Sequence, residues 1–223
     1  MLQFPKEELA KMIDSTNVKA AATKSEIVKI CRETIKYGFR CAVVNPFYVK
    51  LAAGLLKNSS VKVCSTIGFP FGVSVPEIKA LEAVKAVEDG AEELDMVINL
   101  SALKSRDYEF VKQDIIAVVD AKRLVQEVIV KVIIETAQLT KDEKVVACKL
   151  AKEAGADFVK TSTGLFGGAT VEDVKLMRQI VGKNMGVKAA GGIRTYADAV
   201  AMIEAGANRI GTSTAAAIIK DAP

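Results

Sequence analysis

Histidine is absent from all 223 residues, and so is tryptophan. The first absence removes histidine-ligated zinc, histidine-based triads and imidazole general bases together. Proton transfer must therefore fall to Asp, Glu, Lys, Tyr, Cys or water. No uninterrupted apolar run approaches the roughly 20 residues of a membrane helix. The N-terminal MLQFPKEELAKMID is charged and amphipathic, without the apolar centre of a signal peptide, so neither export nor membrane anchoring is expected. The four cysteines, Cys31, Cys41, Cys64 and Cys148, are widely separated and lack metal-ligand spacing. They read as small buried hydrophobes in a reducing compartment, with a cytoplasmic location as the expectation. The net charge is a mild +4 and the basic residues are scattered, which points away from nucleic acid and anionic membranes. A small anionic ligand fits this charge. No Pro/Ser-rich linker divides the chain, and no dinucleotide-binding fingerprint occurs in it.

What is present is a strict alternation. Half the residues are hydrophobic and about a quarter charged, the balance of an ordinary α/β protein. Short β-branched runs at 12–16, 41–45, 61–67, 93–99, 128–135, 157–163, 186–190 and 209–213 read as strands. Amphipathic stretches at 25–38, 47–56, 76–90, 108–125, 142–155, 171–181 and 196–206 read as helices, several closed by glycine. A short Ala-rich helix ends the chain. Eight strand-helix units without a dinucleotide fingerprint favour a closed (β/α)₈ TIM barrel over an open doubly wound sheet, as one domain over residues 1–223. Polar and apolar helix faces are compatible with a homo-oligomer, such as a dimer.

The stretch DFVKTSTG, from Asp157 to Gly164, places Lys160 in a run that reads as a buried strand. Burial disfavours the ammonium form, and a second cation nearby disfavours it further, so the free amine can attack a carbonyl and form a Schiff base. Lys188, in GVKAAGGIR, is the candidate second cation. Either lysine alone reads as an edge position reaching water. In a barrel, however, the C-terminal strand ends also collect Asp14 and Thr16, Asn45, Asp95 and Asn99, and Lys131 and Glu135. Asp95, among apolar neighbours, requires a cationic partner if it faces inward, whether for chemistry or for structure alone.

Glycine supplies a second pattern. Gly164, Gly167 and Gly168 follow the sixth strand and Gly191 and Gly192 the seventh, while Gly211, Ser213 and Thr214 close the eighth. Glycines let backbone N–H groups approach an anion, and the loops after the last two strands of such a barrel commonly hold phosphate. A desolvated lysine, a second lysine, a carboxylate and a phosphate grip point to a metal-independent Schiff-base lyase acting on a small sugar phosphate.

The segments IDST, VNPFYV, STIGFPFG, ELDMVINLSALKSRDYEFV, KVIIET, AKEAGADFVKTSTG, GGATVEDVKLM, GVKAAGGIRTYADA and RIGTS run nearly end to end through the chain. Together they closely resemble the deoxyribose-phosphate aldolases, a class I family. That resemblance implies Lys160 as the Schiff-base lysine, Lys188 as the lysine that lowers its pKa and Asp95 as the proton-handling carboxylate. It implies reversible cleavage of 2-deoxy-D-ribose 5-phosphate to D-glyceraldehyde 3-phosphate and acetaldehyde, in deoxyribose phosphate catabolism, without cofactor or metal. Phosphate would sit on backbone around Gly164, Gly191, Gly192, Gly211 and Ser213, helped by Arg194. Asp14, Thr16, Asn45 and Lys131 would serve substrate hydroxyls or ordered water.

The chain departs from the family pattern in places. Ser15 replaces a histidine and is expected to point away from the interior, and Val43 and Val44 stand where many members carry a cysteine. The loop after Gly164 is one residue shorter than usual, and the chain stops at Lys220–Pro223 without the tyrosine-bearing tail of some members. The shorter loop bears on phosphate affinity, and slower proton transfer to the enamine is the expected result of the missing tail. Three other readings share parts of the pattern: a transaldolase or fructose-bisphosphate aldolase, a non-catalytic phosphate-binding barrel, and a carboxylate-based isomerase. The last two have no need of two strand lysines.

Overall fold

The computed structural model describes residues 3–120 and 128–223. Eight parallel strands close into a barrel in sequence order: β1 (Ile13–Asn17), β2 (Cys41–Val44), β3 (Lys62–Ile67), β4 (Glu93–Val97), β5 (Ile129–Ile133), β6 (Phe158–Lys160), β7 (Gly186–Ala190) and β8 (Arg209–Thr212). Closure is carried by β1, where Asp14 stands opposite Cys41 of β2 on one side and Gly211 of β8 on the other. The (β/α)₈ expectation is met. Around the barrel lie α1 (Lys6–Ala10), α2 (Lys24–Tyr37), α3 (Val49–Leu56), α4 (Pro76–Glu88), α5 (Leu100–Lys104), α6 (Tyr108–Val119), α7 (Lys141–Glu153), α8 (Val171–Val181), α9 (Tyr196–Glu204) and α10 (Ala215–Asp221). Among the described residues, no helix is long and apolar enough to cross a membrane.

Local chemistry sets the helix ends. Thr23 and Glu26 form a reciprocal capping box at the start of α2, and Gly38 ends that helix in the left-handed conformation. Thr140 with Glu143 and Thr195 with Asp198 repeat the box at α7 and α9. Competition from caps also explains where strands stop early. The expected strand 93–99 ends at Val97 because the Asn99 side chain accepts from the Ala102 N–H and starts α5 instead. The sixth strand is only three residues long. Beyond it, the Thr161 hydroxyl donates to the Ala190 carbonyl at 3.1 Å and accepts from the Ala190 N–H at 3.0 Å, so β6 and β7 stay joined through a side chain. The expected helix 47–56 opens with a 3₁₀ turn at Pro46–Tyr48 before α3. Of the expected helix 108–125, residues 121–125 lie outside the described residues.

Two environments follow from strand alternation. Outward residues such as Val44, Leu94, Met96, Val130, Val132, Val159 and Val187 join the helices in one apolar core. Inward residues are different. Instead of the branched aliphatics that usually fill such barrels, Asp14, Glu93, Asp95, Lys131, Lys160, Lys188 and Arg209 are all buried there, with a small apolar cluster of Cys41, Val43 and Cys64 beside them.

Candidate active site

The inward strand positions assemble one ion network. Asp95 is at its centre. Its Oδ2 accepts from Lys160 Nζ at 2.8 Å and from Lys188 Nζ at 2.7 Å, while its Oδ1 accepts from Lys131 Nζ at 2.9 Å. The Cys64 thiol donates to the same Oδ1 at 3.3 Å. Lys188 pairs in addition with Asp14 Oδ2 at 2.6 Å, and Lys131 with Glu93 Oε2 at 2.6 Å. Arg209 Nη1 joins the far ends, 2.8 Å from Asp14 Oδ1 and 3.0 Å from Glu93 Oε2. Its guanidinium lies 5.4 Å from the centre of the Phe158 ring.

Register explains this convergence. Lys160 stands beside Lys188 across β6 and β7, Asp95 beside Lys131 across β4 and β5, and Lys188 beside Arg209 across β7 and β8. Three carboxylates thus face four buried cations, with Arg40 reaching Glu93 from a largely exposed position. The surplus cation is the one that can most easily release a proton. Burial pushes the Lys160 ammonium below its ordinary value and Lys188 adds to the effect, against a partial counterpull from Asp95. Lys188 moves the other way: burial opposes its charge, but Asp14 and Asp95 together hold it above the ordinary lysine range. Asp95 is likewise resisted by burial and yet held well below the carboxylate range by Lys131, Lys160 and Lys188. Asp14 follows the same pattern through Lys188 and Arg209.

A cavity of about 650 Å³ opens above this network. Of the buried cations among the described residues only Lys160 reaches it, together with Thr66 and Thr163. Thr16, Gly164, Gly191, Gly192, Arg194, Gly211 and Ser213, all candidates from the sequence, also line the cavity. Ser15, in the alternate position to Asp14 and Thr16, is buried and borders the cavity too. Asp14, Asp95, Lys131 and Lys188 lie beneath the floor, fully buried. Lys131 therefore meets carboxylates rather than the cavity. Asn45 does not line the cavity; its Nδ2 donates to the Lys19 carbonyl at 3.1 Å and ties down the loop after β1.

The glycines have a packing duty as well. A Cβ on Gly168 would come within 2.6 Å of the Gly191 carbonyl oxygen, and Gly191 itself has φ +87°, so the loops after β6 and β7 meet backbone to backbone. At Gly211 an added Cβ would press at 3.0 Å on Lys188 Cε. That glycine leaves the lysine room to cross the barrel.

Glu93 and Arg209 were not anticipated, although signals for both exist. Glu93 shares a face with Asp95 two residues on, and Arg209 shares one with Gly211. Asp14, Cys41 and Glu93 bring three ligand atoms within 4.8 Å of one another, a spacing able to hold a metal ion. Arg209 already stands between the two carboxylates and 3.6 Å from Cys41 Sγ. The guanidinium takes the place a metal cation would need.

Comparison with known proteins identifies the family. A family model described as DeoC/LacD family aldolase matches residues 8–220. A deoxyribose-phosphate aldolase of Thermococcus kodakarensis is 62% identical over 221 residues, spanning 98% of each chain. One from Methanothermobacter thermautotrophicus is 60% identical over 217 residues, spanning 96% of this chain and 95% of that protein. Among solved structures, the deoxyribose phosphate aldolase of Aeropyrum pernix, described as tetrameric, superposes with a TM-score of 0.90 at 39% identity, covering 96% of this chain and 91% of that one. With a match that spans the whole barrel and relatives so similar, the chain belongs to the DeoC/LacD family of aldolases.

Proposed function

We propose that this chain is a class I aldolase that reversibly cleaves 2-deoxy-D-ribose 5-phosphate to D-glyceraldehyde 3-phosphate and acetaldehyde, as the names of its relatives suggest. One observation supports the mechanism: among the described residues Lys160 is the single buried cation that borders the cavity, and it shares a carboxylate oxygen with Lys188. Its neutral Nζ adds to the C1 aldehyde of the open-chain sugar, and loss of water gives the iminium. The C3 hydroxyl then gives its proton to a water held near Asp95 and Lys188. The C2–C3 bond breaks, its electron pair passes into the iminium to form an enamine, and D-glyceraldehyde 3-phosphate leaves.

A proton returns to C2 of the enamine, water adds at C1, and acetaldehyde departs from a regenerated Lys160 amine. Asp95, so far below the ordinary carboxylate range, retains a proton poorly, so its part is to relay and to balance charge. Lys188 stays charged throughout and keeps Lys160 acidic. The sequence of steps asks for no cofactor. The phosphate end fits the glycine-lined side of the cavity around Gly164, Gly191, Gly192, Gly211 and Ser213, with Arg194 at the rim. The proposed place in metabolism is deoxyribose phosphate breakdown, and the buried free cysteines suit a reducing cytoplasm.

Incubation with acetaldehyde and borohydride, followed by peptide mass measurement, tests this reading. A reduced two-carbon adduct confined to Lys160 is expected. An adduct spread over surface lysines, or none, would overturn the Schiff-base assignment and return the chain to a non-catalytic binding role.

A further inference from the structure

Glu135, just past β5, is a glutamate where a glycine would fit more easily. Its backbone is left-handed, φ 56° and ψ 64°, a conformation strained for any residue other than glycine. Its side chain is fully buried. Both hydrogen bonds to its Oε2 come from one residue: the Thr163 N–H donates at 3.1 Å and the Thr163 hydroxyl donates as well. Its Oε1 is buried without a partner. Thr163 Oγ1 in turn accepts from the Leu165 N–H at 3.2 Å. The next residue continues the seam, since the Thr136 N–H donates to the Thr161 carbonyl at 2.9 Å. The segment from Thr161 to Leu165, which follows Lys160 directly, is therefore fastened from the end of β5.

We propose that Glu135 is a positioning residue: its carboxylate clamps Thr163 and so fixes the cavity wall that receives the phosphorylated end of the substrate. This rests on the aldolase reading above. Thr163 and Gly164 line the cavity, and Gly164 Cα lies only 3.4 Å from where a Cβ on Gly191 would stand. A shift of the turn by a fraction of an ångström would spread to the adjoining loop. Backbone N–H groups bind an anion well only when they are held in place before it arrives. A strained residue that persists at such a position has a side chain that its neighbours require.

Glu135→Gly separates the clamp from the fold, because glycine accepts the left-handed backbone without strain and removes the carboxylate. The expected result is an unfolding temperature close to the parent's and a roughly tenfold fall in the ratio of kcat/KM for 2-deoxyribose 5-phosphate to that for unphosphorylated 2-deoxyribose, carried by KM. Trapping of acetaldehyde on Lys160 by borohydride should persist. Thr163→Val, which keeps the shape and the N–H but removes the hydroxyl, should move the same ratio in the same direction by a smaller factor, even if the glycine variant folds poorly. An unchanged ratio in Thr163→Val and Glu135→Gly, or an equal loss on both sugars, overturns the clamp. Failure of the parent protein to form the Lys160 adduct overturns the aldolase reading itself, and the clamp with it.

Discussion

Lys160 interrupts a run where lysine is rare, and its acidity is set by a neighbour as well as by its own burial. Burial and Lys188 both lower the Lys160 pKa, and Asp95 raises it. Removing the Lys188 charge in Lys188→Leu therefore leaves Lys160 more basic, with less free amine at neutral pH. The acid limb of the kcat/KM profile should move to higher pH, with activity recovering in alkaline buffer. An unmoved limb in a pH-rate series would remove Lys188 from this role. Lys160 and Lys188 could be picked out from sequence because each interrupts a β-branched run that ends in small residues. The carboxylates at Glu93 and Asp14 were less legible as network members, because nothing local reveals which cation a strand residue will face across the barrel. Arg209 was hidden for the same reason: its partners are 195 and 116 residues away.

Elements in this barrel are held by polar ties as well as by the apolar shell. Lys79 of α4 is buried, donates to the Val97 carbonyl at the end of β4 at 2.9 Å, and pairs with Asp114 of α6 at 2.6 Å. Burial lowers Lys79 and raises Asp114, each against the attraction of the other. Lys79→Met would leave Asp114 buried without its cationic partner, for a loss of about 3–5 kcal/mol in urea unfolding. The double variant Lys79→Met with Asp114→Leu should recover most of that loss. Equal instability of the two variants would show that the pair matters through its hydrogen bonds rather than through an uncompensated charge. The alternation of strands and helices was readable from periodicity, but this tie was not, since a lysine and an aspartate on amphipathic helices look like ordinary surface residues. The short α5 escaped for a different reason: Asn99 continues the alternating pattern of its strand and only its capping bond reveals the turn.

Taken whole, the molecule carries its charge in the centre, and its stability should follow the titration of that centre. Asp14, Glu93 and Asp95 are held below their ordinary values of 3.8, 4.5 and 3.8. Their contribution is present above those values and is lost as pH falls through the lower, folded ones. Lys131 and Lys188 are held above 10.5, so their contribution is complete below 10.5 and is lost as pH rises past the folded values. Lys160 runs opposite to them, adding a gentle rise in stability between its lowered value and 10.5. Unfolding temperature measured from pH 3 to pH 11 should fall steeply below about pH 4, climb slightly on the approach to pH 10.5 and decline above about pH 10.5. A protein that gained stability on acidification below pH 4 would contradict the network. Eight strand-helix units made the barrel legible at this scale, whereas the ionic filling was not, because the usual interior of such barrels is aliphatic.

That filling divides the strands into two separate inheritances. Outward positions such as Leu94, Met96 and Val130 join the shell between sheet and helices, while inward positions such as Glu93, Asp95 and Lys131 face the ion network. A change at one parity alters the cohesion of the shell, and a change at the other alters what the barrel can react with. Such a scaffold can drift toward heat or cold tolerance through one set of codons while its chemistry stays fixed, or accept new substrates through the other while its shell stays fixed.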